Sequence, residues 1–84
     1  MFDFEQVLDI DIKQIAMIER LGLGYRGTGL TKEIMVNKKL SRRDFERAGL
    51  CNTQYTDNSI FLVTPFCADE EYWTELEKRI TTLL

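Results

Sequence analysis

Between Phe4 and Leu21 the apolar residues recur at three- and four-residue steps: Phe4, Val7, Leu8, Ile12, Ile15, Ile18 and Leu21. That period predicts a helix over residues 4–21 with this row as its buried face. Asp3 stands where an N-cap is wanted and Gly22 where a helix stops. Ile10 and Met17 fall off the row, and either widen the buried face or meet a partner.

Residues 22–29 hold four glycines in eight positions, which implies a connection with turns of positive φ or close backbone approach. Residues 30–36 then read as a strand with Ile34, Met35 and Val36 at its apolar end. Ser41 is a good N-cap for a short helix over 42–48, with Asp44 in the capping-box position. Leu40 and Phe45 are spaced as a hydrophobic staple, and Gly49 is a natural end. Residues 51–57 are polar and read as extended, and Asp57-Asn58 signals a turn.

Ser59 to Thr64 is the strongest strand signal. It is apolar on both faces, which predicts a central, two-sided place, and Pro65 ends it. Asp69 caps a last helix over 70–83, with Tyr72, Trp73, Leu76, Ile80 and Leu83 on one face. The expected fold is α+β in the order α-β-α-β-α, helices packed on a short two-stranded sheet. Such a sheet has exposed edges, so a homodimer through one of them is a reasonable expectation.

Eighty-four residues make one domain spanning 1–84. A chain of this length buries roughly 60–65% of its unfolded surface, enough for one modest core and little room for a deep cleft. With 44% hydrophobic and 30% charged residues it reads as globular rather than disordered. No apolar run approaches the roughly 20 residues of a membrane span. The start, Met1-Phe2-Asp3-Phe4-Glu5, is acidic and unlike a signal peptide, so a cytoplasmic location is expected.

The chain has no histidine and two cysteines, Cys51 and Cys67. That argues against a disulfide framework or a structural zinc site, and two reduced thiols are expected. No nucleophile and base stand at a catalytic spacing. Asp9 with Asp11, or Glu70 with Glu71, lack surroundings that suggest a raised pKa. Gly22-Leu23-Gly24-Tyr25-Arg26-Gly27 matches a G-x-G-x-x-G spacing but follows a helix and precedes a strand, the reverse of a dinucleotide site. Thr28-Gly29-Leu30-Thr31-Lys32 is no P-loop either, because no helix follows it. No catalytic residue, cofactor or metal is therefore expected.

The net charge of −3 is unevenly spread. Residues 1–21 and 69–79 each carry −3, while residues 38–47 carry +3 through Lys38, Lys39, Arg42, Arg43 and Arg47. Five cations in ten residues read first as a solvated helix face, part of it paired internally as Arg42 with Glu46, and otherwise suit an acidic protein surface or several phosphates. The acidic flanks disfavour a long polyanion. The acidic residues of the outer helices, including Glu70, Glu71 and Glu75, read first as ordinary solubilising surface, and by the converse argument also suit a basic partner.

Residues 21–84 resemble the C-terminal part of the small domain of class III pyridoxal-phosphate aminotransferases. The resemblance rests on Arg26-Gly27-Thr28-Gly29-Leu30 at a strand entry, Gly49-Leu50 after a short helix, Asp57-Asn58-Ser59-Ile60-Phe61-Leu62-Val63-Thr64-Pro65 as turn and strand, and Asp69-Glu70-Glu71 at a helix start. It implies a shared βαβα architecture. It does not imply transaminase chemistry, because the family's Schiff-base lysine and phosphate site belong to a large domain absent from this chain. Phe61 stands where some members hold a substrate carboxylate with arginine, and Thr64-Pro65 replaces the usual double proline.

The sequence thus points to a small acidic, non-catalytic protein that regulates or inhibits a macromolecular partner. The expected contact residues are Lys38, Lys39, Arg42, Arg43 and Arg47, with Glu70, Glu71 and Glu75. A nucleic-acid-binding regulator using the 38–47 segment is the first alternative, and a degenerate or partial aminotransferase small domain the second. Stand-alone acidic proteins of this size are often encoded by phage or mobile elements, an expectation that attaches to the class rather than to these residues.

Overall fold

Three polar side chains start the three helices. Asp3 accepts a hydrogen bond from the Gln6 amide at 3.2 Å and opens α1, Phe4–Arg20. Ser41 and Asp44 form a reciprocal capping box at the head of α2, Arg42–Ala48. Asp69 accepts from the Tyr72 amide at 2.8 Å and opens α3, Glu70–Leu83. The computed structural model describes residues 3–50 and 58–84. The expected extended stretch 51–57 and Cys51 lie outside the described residues.

Two helices end alike. Gly22 and Gly49 adopt positive φ, +72° and +71°. The amides of Gly22 and Leu23 turn back to the carbonyls of Glu19 and Ile18, and those of Gly49 and Leu50 to Glu46 and Phe45. This double bond satisfies carbonyls the helix leaves unpaired, and it returns Leu23 and Leu50 to the core. Leu40 and Phe45, at the two staple positions, are both buried in the core beside the start of α2.

Among the described residues the sheet has three antiparallel strands in the order β1-β2-β3, rather than two. The glycine-rich connection itself supplies β1, Gly24–Arg26, which pairs with β2, Thr31–Met35. The tight turn between them needs its glycines. Gly27 has φ +111°, and a Cβ there would lie 2.6 Å from the Thr31 carbonyl oxygen. Gly27→Ala is expected to cost about 2 kcal/mol through strained backbone and that clash. Urea unfolding followed by circular dichroism measures it, and a loss below about 0.5 kcal/mol would contradict this turn.

β2 is the central strand, and β3, Ser59–Val63, has β2 as its neighbour with Ile34 opposite Ile60 and Lys32 opposite Leu62. The expectation that β3 is central and two-sided does not hold among the described residues. Val63 is 63% exposed at the open side of the sheet. Its strongly apolar sequence instead reflects one core face, with Ile60 and Leu62 buried and Phe61 half-buried on the other side.

All three helices pack on one sheet face. Met17 and Ile18 of α1, Phe45 of α2, and Leu76, Ile80 and Leu83 of α3 share a single core with Ile34, Ile60 and Leu62. Tyr72 and Trp73 pack against its rim edge to face, with ring centroids 5.7 Å apart. The α+β class read from the sequence is therefore the observed one, with the extra short strand added. Among the described residues no helix is long and apolar enough to cross a membrane.

The rotation of α1 departs from expectation. Its buried residues are Ile10, Gln14, Met17 and Ile18. Phe4, Leu8 and Ile12 are 67%, 47% and 57% exposed. At 100° per residue, the buried face is turned by about 90° from the regular apolar row. Ile10 and Met17, which fall off that row, are core.

Candidate interaction surface

What turns α1 is a buried polar network beneath it. Lys32 is fully buried on the core side of β2, in phase with Ile34. Its ammonium donates to an Asp11 carboxylate oxygen, to Gln14 Oε1 at 2.8 Å and to the Gly29 carbonyl at 2.8 Å. Gln14, also fully buried, donates its amide to the Leu30 carbonyl at 3.0 Å and to Thr64 Oγ1. The network ties α1 to the β1–β2 turn, to β2 and to the end of β3. Every hydrogen on the lysine nitrogen has an acceptor, so the charge is compensated where an unpaired one would be very costly. The three acceptors fix the ammonium in one position. This cluster is a lock, and it points Phe4, Leu8 and Ile12 away from the sheet.

The outer face of α1 is thus an apolar row on a capped, preformed helix. Acids run beside it. Glu5 and Glu19 have no ion pair among the described residues, and Asp9 holds Lys13 at 3.1 Å. Arg20, at the far end, is taken by Glu77 of α3 at 2.6 Å. Asp11 is occupied by Lys32 beneath.

The charged residues singled out from the sequence do not form one patch. Lys38 and Arg47 border a hollow with Thr82 and Leu83 at the C-terminal end of α3. Glu70 and Glu71 stand at its N-terminal end, about 18 Å away along the helix axis. Lys38 and Arg47 lie near a helix end that carries no basic residue in its own last turn, where cations favour the dipole. Several charges are also engaged locally. Arg47 pairs with Asp44 at 2.6 Å, Arg42 lies 3.7 Å from Glu46, and Glu75 holds Arg79 at 3.2 Å. Arg79 also donates to the Gly49 carbonyl at 2.8 Å. Lys38, Lys39, Arg43, Glu70 and Glu71 have no ion pair among the described residues and are exposed.

Several such surface pairs shift the groups that form them. Hydrogen bonding from the Ser41 amide, then from Arg47, holds the Asp44 carboxyl below its ordinary range. Arg26, directly across the β1–β2 ladder, does the same to Glu33, and Glu33 raises Arg26 in turn. Burial pushes the Tyr72 hydroxyl up, with Cys67 adding to it. None of these groups faces another in a nucleophile–base arrangement.

A groove of about 610 Å³ lies between β3 and α3, with Phe61, Val63, Cys67, Glu71 and Tyr72 on its walls. Cys67 is an exposed single thiol there, with no histidine in the chain to activate it. Among the described residues no group of three or more His, Cys, Asp or Glu is placed to hold a metal ion.

Sequence reasoning missed the outer row as surface because it took the most regular apolar period for the core. The available signal was the second arc, Ile10, Met17, Ile18 and Leu21 around Gln14, together with Lys32 in phase with Ile34 and Val36. No family model matches this chain, and no curated protein matches it.

Proposed function

We propose that this chain is a small acidic, non-catalytic regulator that acts by binding another protein. The observation that carries the reading is the exposed row Phe4, Leu8 and Ile12 on a helix whose opposite face is already locked into the core. Large apolar side chains aligned on one exposed helix face are a recognised mark of a protein interaction site. Lys38, Lys39, Arg43, Glu70 and Glu71, exposed and without an ion pair among the described residues, are available for charged contacts that set orientation and association rate. The only fully buried ionisable side chain among the described residues, Lys32, is committed to structure, which leaves binding as the better-supported role.

Affinity capture with the tagged intact chain in an extract of its native host tests this reading. One protein retained at near-stoichiometric amount after a high-salt wash is the expected result. Recovery of nucleic acid that salt removes, or of the chain alone, would overturn it, because phosphate-driven affinity falls steeply with salt.

A further inference from the structure

We propose that α1 is the ligand helix of a helix-in-groove complex, and that its partner is a protein with an apolar groove rimmed by lysine or arginine. This deepens the binding reading above and rests on it. Phe4, Leu8 and Ile12 follow one another at i, i+4 and i+8, and span about 12 Å of helix. Ile15, half-buried, continues the row toward the core. This is the spacing by which an amphipathic helix seats anchors in a groove. Because α1 is capped by Asp3 and fixed by the Lys32 network, it does not have to order on binding. The cost that weakens most helical ligands is therefore small.

Charge decides among the occupants. Beside the row stand Glu5, Asp9 and Glu19, and the two cations on that side of α1 are both engaged, Lys13 with Asp9 and Arg20 with Glu77. The edge is net negative, so the complementary groove has a basic rim. A second copy would set Glu5 and Asp9 against the same acids. A helix that lies on a lipid surface carries lysine and arginine on its polar face, the reverse of this one. A nucleic acid is disfavoured by the same acids.

The test places p-benzoylphenylalanine, a photo-crosslinker, at position 4, 12 or 66 of the full chain in native host extract. Position 66 is an exposed phenylalanine near the end of β3 and serves as the control. The expected result is an adduct with one protein from positions 4 and 12 and none from 66. The crosslinked peptide should lie in a groove with apolar walls and Lys or Arg rims. Leu8→Asp should cut the adduct by more than tenfold, Leu8→Met should retain it, and Glu5→Lys with Glu19→Lys should lower it several-fold. Circular dichroism confirms that each variant is folded.

An adduct with a second copy or with lipid, a groove with an acidic rim, indifference to Leu8→Asp, or no adduct from positions 4 and 12 would each overturn the proposal. If the captured protein crosslinks only elsewhere on the chain, the regulator reading stands and the helix-in-groove inference falls. If nothing is captured, both fall.

Discussion

Lys32→Met is expected to destabilise the chain by about 3 kcal/mol, because it breaks a buried, hydrogen-bonded charge pair from one side. Methionine keeps the apolar stem and removes the ammonium. Gln14 Oε1 and the Gly29 carbonyl then lose their donor in the interior, while Asp11, still partly exposed, regains some water. A domain of this length has a total stability of about 4–12 kcal/mol, so the loss is a large share of it. Adding Gln14→Leu should cost less than the sum of the two single changes, since the second removes a group the first has orphaned. Urea unfolding followed by circular dichroism reads both. A loss below about 1 kcal/mol for Lys32→Met, or strict additivity, would mean that the network does not hold α1 to the sheet.

The same network explains what was legible in the sequence and what was not. Helix starts were legible because capping is local: Asp3, Ser41 with Asp44, and Asp69 each bond an amide three residues on. Helix ends were legible for the same reason at Gly22 and Gly49. The inward face of α3 was legible because Leu76, Ile80 and Leu83 are apolar and buried together.

The rotation of α1 was not legible, because it is a tertiary matter. Its core face is centred on Gln14, a residue any hydrophobicity argument sends to solvent, and it is matched by Lys32, a residue type almost never fully buried unless paired. Each polar group is buried only because the other is there. The short strand β1 was hidden by its glycines, which weaken a strand signal while the pairing of Tyr25 with Ile34 supplies what propensity does not. At the surface, the sequence exposed the charged clusters but not their separation along α3, which depends on how α2 packs against it.

The consequence for function is direct. Inward, α1 spends Asp11 and Gln14 on a lysine; outward, it keeps Phe4, Leu8 and Ile12 in water. A monomer that exposes an ordered apolar row gains nothing in stability from it, and a binding role gives that row a purpose. The lock therefore does two things at once: it holds α1 to the sheet, and it decides which face of the helix stays exposed.

The measurement that tests this most directly is a four-variant comparison on α1: Ile10→Ala and Met17→Ala on the inward face, Leu8→Ala and Ile12→Ala on the outward face, each by urea unfolding. Ile10 and Met17 are 4% and 1% exposed. Truncating them is expected to cost about 2–4 kcal/mol each, through lost burial and the cavity left behind. Truncating Leu8 or Ile12 is expected to cost less than about 1 kcal/mol, because each already stands in water. The reverse order, with large losses at Leu8 and Ile12 and small ones at Ile10 and Met17, would mean that the regular apolar row faces the core. It would contradict the Lys32 lock and remove the surface on which the proposed partner docks.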